Sequence, residues 1–380
     1  VRRMCRVKTA EKTSKVTPSR KDALQLGAIK KALPEEVFVK SLSKSLFYLC
    51  VDLSMWLGSL ALIYTLVHSE IWQTMSFWTQ AAVSFAYFNF AGFFMWALFV
   101  VGHDCGHGTF SNYEWLNDLI GNLTHGAILV PYWPWRLTHH RHHLYHNHEE
   151  KDYSHKWYTP EVMARPDEGM ARYFHSNPWL MAIFPYIGWP IYLSGLPDGN
   201  HFAPIPSQRM WKDTPKEEYV RCIVSTLFVI AYAVGIYLLS GDFNKFVYYY
   251  LAPVIVFGWW LVTVTYLQHH SPTTKVYDDS SWKYVDAAFE TVDRYYGLGI
   301  DYWSHHITDG HVVHHLFFTK IPHYNLAKAT KALQTYMEEN GIGDLYQYED
   351  TTDFFFRVHK YMVTNGLKAI KHVPEKKTQY

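Results

Sequence analysis

The sequence predicts an all-α integral membrane protein in which four transmembrane helices form two hairpins beneath a helical cap. Three observations lead to this fold class. Four apolar runs of spanning length occur as two pairs, each joined by a linker too short to hold a domain. Charged segments return between and after the pairs, so the mean hydropathy of −0.16 averages two unlike kinds of sequence. Finally, the 23 histidines are concentrated in clusters that follow the apolar runs.

In chain order, residues 1–44 are rich in Lys and Arg and lack the apolar core of a signal peptide, so they read as a polar cytosolic tail. Ser45 to Val67 is apolar except for Asp52, and after a short loop around Glu70 the stretch Ala81 to Val101 carries no charge; together they give a first hairpin over 45–101. A cytosolic or interfacial segment, 102–217, follows. Within it, Leu116 to Trp135 contains Asn117, Asp118 and Asn122, and Pro178 to Leu196 is interrupted by prolines and glycines. Both read as interfacial or re-entrant helices anchored by Trp133, Trp135, Trp179 and Trp189. Cys222 to Leu239 and Phe246 to Leu267, separated by SGDFNK, form a second hairpin over 218–268, and residues 269–380 complete the cap and C-terminal tail. Lys and Arg crowd the segment before the first span and are almost absent from the hairpin loops, which places both termini and every histidine cluster on the cytosolic side. Asn122 opens the only N-x-S/T sequon and is therefore expected to carry no glycan. Four buried helices of a soluble bundle are the alternative, but such helices rarely reach about twenty uncharged residues.

His103 and His107 (HDCGH) stand at i and i+4, while His139, His142 and His143 (HHRHH) and His311, His314 and His315 (HVVHH) share the spacing H-x-x-H-H. On a helix each set shares one face. A solvated patch or the polar face of a helix accounts adequately for any single histidine here, but not for three sets that share ligand spacing. Eight imidazoles exceed the needs of one four-coordinate zinc, so two metal ions are the economical reading. The four cysteines lack CxxC spacing, and no HExxH, GxSxG, P-loop or GxGxxG occurs. A net charge of +1 without a basic stripe excludes a nucleic-acid partner. Histidine-only ligation at the ends of membrane helices suits iron that activates dioxygen beside lipid, and such an oxidant requires electrons from outside.

With TYLQH before the third box and DRYYG, HHITDGHVVHH and KIPHYNLAKAT around it, the chain resembles the membrane-bound fatty acyl desaturases from about Lys31 to about Phe355. It is most similar to their methyl-end branch, the delta-12 and omega-3 desaturases; it lacks an HPGG haem-domain motif, and its third box begins with His311 rather than Gln. The resemblance implies a cytosolic cap holding a di-iron site ligated by the eight box histidines, and an acyl chain, on a membrane lipid or CoA, in a narrow tunnel. It also implies a cis double bond formed as dioxygen goes to water, with electrons from NADH through cytochrome b5 and its reductase in the endoplasmic reticulum membrane. His269, at the end of the fourth span, is the candidate for a ninth ligand, and His305 and His306 come after it. His140 and His146 are not needed as ligands and read as solvated or hydrogen-bonded; Arg136, Arg141 and Lys156 are candidates for steering the electron donor. A homo-oligomer is left open. Two alternatives remain: a fatty acyl hydroxylase of the same di-iron family, and a histidine-rich metal transporter, although transporters place ligands near the bilayer midplane rather than at span ends.

Overall fold

A computed structural model describes residues 19–195 and 199–373; Leu196, the first eighteen residues of the tail and residues 374–380 lie outside the described residues. Among the described residues, four helices are long and apolar enough to cross a membrane: Leu42–Val67, Phe77–His107, Lys216–Ser240 and Phe243–His269. The chain is a multi-pass membrane protein.

The four are not equivalent. In their most apolar windows the second and fourth are 67% buried, the first and third 22% and 17%. The central pair packs closely where Gly92 faces the fourth helix, since a Cβ there would lie 2.5 Å from that of Val256. Below that contact the fourth helix relaxes into a π turn over Val247–Leu251. Pro253 explains it: its missing N–H frees the Tyr249 carbonyl, which accepts instead from the Tyr87 hydroxyl of the second helix at 2.5 Å. The neighbouring Tyr250 hydroxyl donates to the Ala127 carbonyl at 2.8 Å. Leu57, Leu62, Leu227, Ile230 and Leu238 leave the outer helices with exposed apolar faces, as lipid contact requires.

The two irregular apolar stretches are packed more deeply than an interfacial anchor would be. Trp133, Trp135 and Trp189 are buried, and only Trp179, 82% exposed, has the position expected of a belt tryptophan. Helix Glu114–Gly126 lies against the second and third spanning helices, and Pro178–Ser194 against the fourth and the helix Phe354–Thr364. Asn122 is buried, donating from Nδ2 to the Asp118 carbonyl at 2.7 Å and accepting from Ser225 Oγ at 2.6 Å. In the folded chain the Asn122 amide is thus engaged on both sides rather than open to solvent.

From residue 19 onward the N-terminal segment is docked rather than free. Ile29 and Val37 are fully buried; Asn325 donates to the Val37 carbonyl and Tyr336 to that of Ala23. The cap adds two short parallel ladders to the helices: Lys275–Val276 with Ile370–Lys371, and Val292–Tyr295 with Gln347–Asp350.

Candidate metal centre

Three helix segments and one helix end converge. The second spanning helix closes at Gly108, whose φ of 68° suits only glycine well, so His103 and His107 stand in its last turn with their Nε2 atoms 3.1 Å apart. In the box-2 helix, Tyr132–Tyr145, His139 and His143 face each other with Nε2 atoms also 3.1 Å apart. His314, on the box-3 helix His311–Phe317, completes a first cluster of five imidazoles. A second cluster joins His142, His146, His269 and His315, again with ligand atoms within 4.8 Å of one another. His311 meets it through Nε2, 3.0 Å from that of His269. The clusters touch where the rings of His143 and His315 lie 4.2 Å apart.

These distances suit a shared ion: two nitrogens each bound at ~2.1 Å and roughly 90° apart would lie ~3.0 Å from one another. Nε2 of His142 and His314 and both nitrogens of His315 are buried without a hydrogen-bond partner. Burial and the neighbouring imidazoles hold His139, His143, His314 and His315 well below the ordinary histidine value, and His311 at about 3. Neutral rings with free lone pairs are what a metal ion needs.

The fatty acid desaturase family matches residues 76–348. The chain is 39% identical to the Delta(12) fatty acid desaturase fat-2 of Caenorhabditis elegans, over 93% of this chain and 90% of that one. It is 36% identical to the Omega-3 fatty acid desaturase fat-1 of the same organism, over 87% and 78%. A third relative, the acyl-lipid omega-3 desaturase (cytochrome b5), endoplasmic reticulum, of Arabidopsis thaliana, is 34% identical over 85% and 79%. The chain belongs to the fatty acid desaturase family. This desaturase is accordingly an oxidoreductase, and its two histidine clusters form a candidate metal site at the ends of its central membrane helices.

Around the clusters the desaturase builds an outer layer from residues that spacing did not single out. Asp152 accepts from His142 Nδ1 at 2.9 Å, leaving Nε2 to face the cluster, and the Ile307 carbonyl does the same for His311 at 3.1 Å. Fully buried Arg294, the arginine of DRYYG, donates to the carbonyls of Leu267 and His270 at 2.7 and 3.0 Å, fixing the helix end that presents His269. Asp293 beside it accepts from the Val312 N–H at 2.8 Å and anchors the start of the box-3 helix. For Asp293 and Arg294 the sequence carried one signal, a charged pair between apolar and aromatic residues; Asp152, inside the charged run EEKD, carried none.

Several expected roles are reassigned. His305 is buried outside both clusters, with Nε2 2.8 Å from Asp52 Oδ2, so the single carboxylate of the first span pairs with it. His306 is half-buried and bonded through Nδ1 to Asp309 at 3.0 Å. Carboxylates hold both rings away from the metal cluster. His140 is exposed, whereas His146 is buried and neither solvated nor hydrogen-bonded. The three proposed steering cations are internally engaged: Arg136 with Asp118 at 3.0 Å, Arg141 with the Lys151 carbonyl at 3.1 Å and the Tyr153 ring, and Lys156 with Glu168 at 2.6 Å. Carboxylates neutralise Arg136 and Lys156, which weakens the case for steering by these two, whereas Arg141 is held by neutral groups and keeps its charge.

Proposed function

We propose that this desaturase is a methyl-end enzyme that places a cis double bond, delta-12 or omega-3, in an acyl chain that already carries one. Two irons held by the paired clusters, with dioxygen and two electrons delivered by NADH-reduced cytochrome b5, would supply the oxidising power to remove two hydrogens from adjacent methylenes and leave two waters. The observation that carries this reading is the contact between two buried imidazole clusters at one end of the central membrane helices. His103, His107, His139, His143 and His314 would hold one ion, and His142, His269, His311 and His315 the other. Imidazole ligands offer lone pairs without adding charge to an apolar site. Trp135 stacks on His139 at 4.6 Å and Phe318 on His143 at 4.5 Å, excluding water from the first cluster. Beyond Trp135, the rings of Phe99, Trp189 and Phe257 continue the apolar lining into the membrane helices. The clusters lie at span ends rather than at mid-membrane, which disfavours a metal transporter.

On this reading the clusters, both termini and the cap face the cytosol of the endoplasmic reticulum, and the chain divides into the two hairpins and the segments between and after them. Expression in yeast fed oleate and linoleate, followed by gas chromatography of total lipids, tests the activity. A new diene from oleate or a new omega-3 triene from linoleate is expected, and hydroxylated products would favour the sister chemistry. Loss of product in cells lacking cytochrome b5 and its reductase tests the electron route.

A further inference from the structure

We propose that His146, three residues beyond the second box, is an additional protein ligand of the second metal, giving each of the two ions five imidazoles. The inference rests on the proposed metal centre and concerns a residue that box spacing leaves out. Without His146 the first cluster holds five rings. The second would have only His142, His269, His311 and His315.

His146 is 2% exposed, and both its ring nitrogens are buried without a partner. A buried polar group in a native protein is normally bonded, so one with two orphaned nitrogens calls for a group the protein itself does not provide. Orphaned nitrogens alone do not make a ligand, as His125 shows: its two are equally unpartnered, but the ring packs on Phe99, Tyr132 and Trp135. The surroundings of His146 are different. Its ring lies 4.5 Å from that of His315, 5.1 Å from His269 and 5.5 Å from His142, every one a member of the second cluster.

The backbone is arranged to hold it there. His139, His142, His143 and His146 follow i, i+3, i+4, i+7, one stripe of a helix, yet the helix ends at Tyr145 and His146 has φ −44° and ψ 132°. Asn147 then turns left-handed, with φ 53°. Such a conformation persists only where its surroundings impose it, and here they do. The Trp282 indole donates to the His146 carbonyl at 2.9 Å, Asn147 Nδ2 to the Lys275 carbonyl at 2.9 Å, the Tyr277 N–H to the Asn147 carbonyl at 3.0 Å, and the Trp157 indole to Asn147 Oδ1 at 3.2 Å. These four contacts fix the direction in which the imidazole leaves the helix. His155, another histidine nearby, has its ring 4.5 Å from His142 and 4.4 Å from His269, but its ligand atom groups with His142 and Asp152 and not with His315.

The test is iron quantitation and Mössbauer spectroscopy on the full-length protein, purified in detergent after growth in iron-57, for wild type, His146→Ala, His146→Gln and His155→Ala. Wild type is expected to hold two irons per chain. Both His146 variants should show one altered and one unchanged iron environment and lose roughly one iron per chain to a chelator that spares wild type, while His155→Ala keeps both. Added imidazole should return the altered signal of His146→Ala towards that of wild type, which a merely misfolded protein would not do. If both His146 variants kept two irons against the chelator with unchanged spectra, the assignment would be overturned while the metal centre stood. A wild-type protein without histidine-bound iron would overturn the metal reading itself.

Discussion

The two histidine clusters are built in different ways. The first takes all five rings from the three boxes, and two of its pairs stand at i and i+4 on one helix face, which brings the rings together and lets their rotamers set Nε2 separations of 3.1 Å. The second draws His269 from the end of a spanning helix, His146 from beyond a helix end and His315 from a third element. No local geometry sets these distances; Arg294, Asp152 and the tryptophans around Asn147 do. The first cluster is therefore sensitive chiefly to its own rings, and the second also to the residues that position them.

The sharpest way to separate the clusters begins with His269. His269→Ala should abolish desaturation and lower iron content while the protein still accumulates in membranes. His270→Ala, which loses a bond from Nε2 to the Lys368 carbonyl and the ring's packing on Tyr266 and Trp157, should keep iron and activity at some cost in stability. Lipid chromatography with metal analysis of both proteins checks this, and full iron and activity in His269→Ala would remove it from the ligand set.

A large effect on stability is expected from His305→Ala, which leaves Asp52 buried without its partner. The cost should be about 3–5 kcal/mol, seen as a lower melting temperature in detergent, with the iron content of the folded protein unchanged. Iron loss in the protein that remains folded would return His305 to the list of ligands.

Smaller again is Asp152→Asn, which weakens the acceptor that orients His142. Iron affinity or activity should fall by about 10–100-fold, and the first cluster's spectroscopic signal should stay as it is.

The smallest effect depends on pH. The hydrogen bond to Asp309 raises the His306 pKa, so this pair stabilises the fold fully below the ordinary histidine value of about 6.5 and ceases to do so as pH rises through the folded-state value. The melting temperature of His306→Gln should thus fall below that of wild type at pH 5.5 and approach it at high pH, with activity retained. A constant difference across the range would show that the pair does not titrate.

How much of this was legible beforehand follows from the range of each interaction. The spans could be read because a membrane imposes about twenty apolar residues on any helix that crosses it, and the first cluster because i, i+4 spacing fixes which rings meet. The ends of the helices were less accurate: the second extends from Phe77 to His107 rather than from Ala81 to Val101, since histidines continue a helix that the apolar pattern has left. Trp133, Trp135 and Trp189 were misplaced because an aromatic at a membrane interface and one in a core look alike in sequence.

By itself, then, the sequence determined a four-span membrane protein, the eight box histidines and the resemblance that led to its family. Tertiary structure alone decided that His305 pairs with Asp52, that His306 pairs with Asp309, and that His146 turns inward to the rings of His142, His269 and His315. Spacing along a helix sets only contacts within a few residues. Whether a histidine 253 positions from an aspartate meets that carboxylate or a metal depends on how the helices pack, and packing is a property of the whole chain.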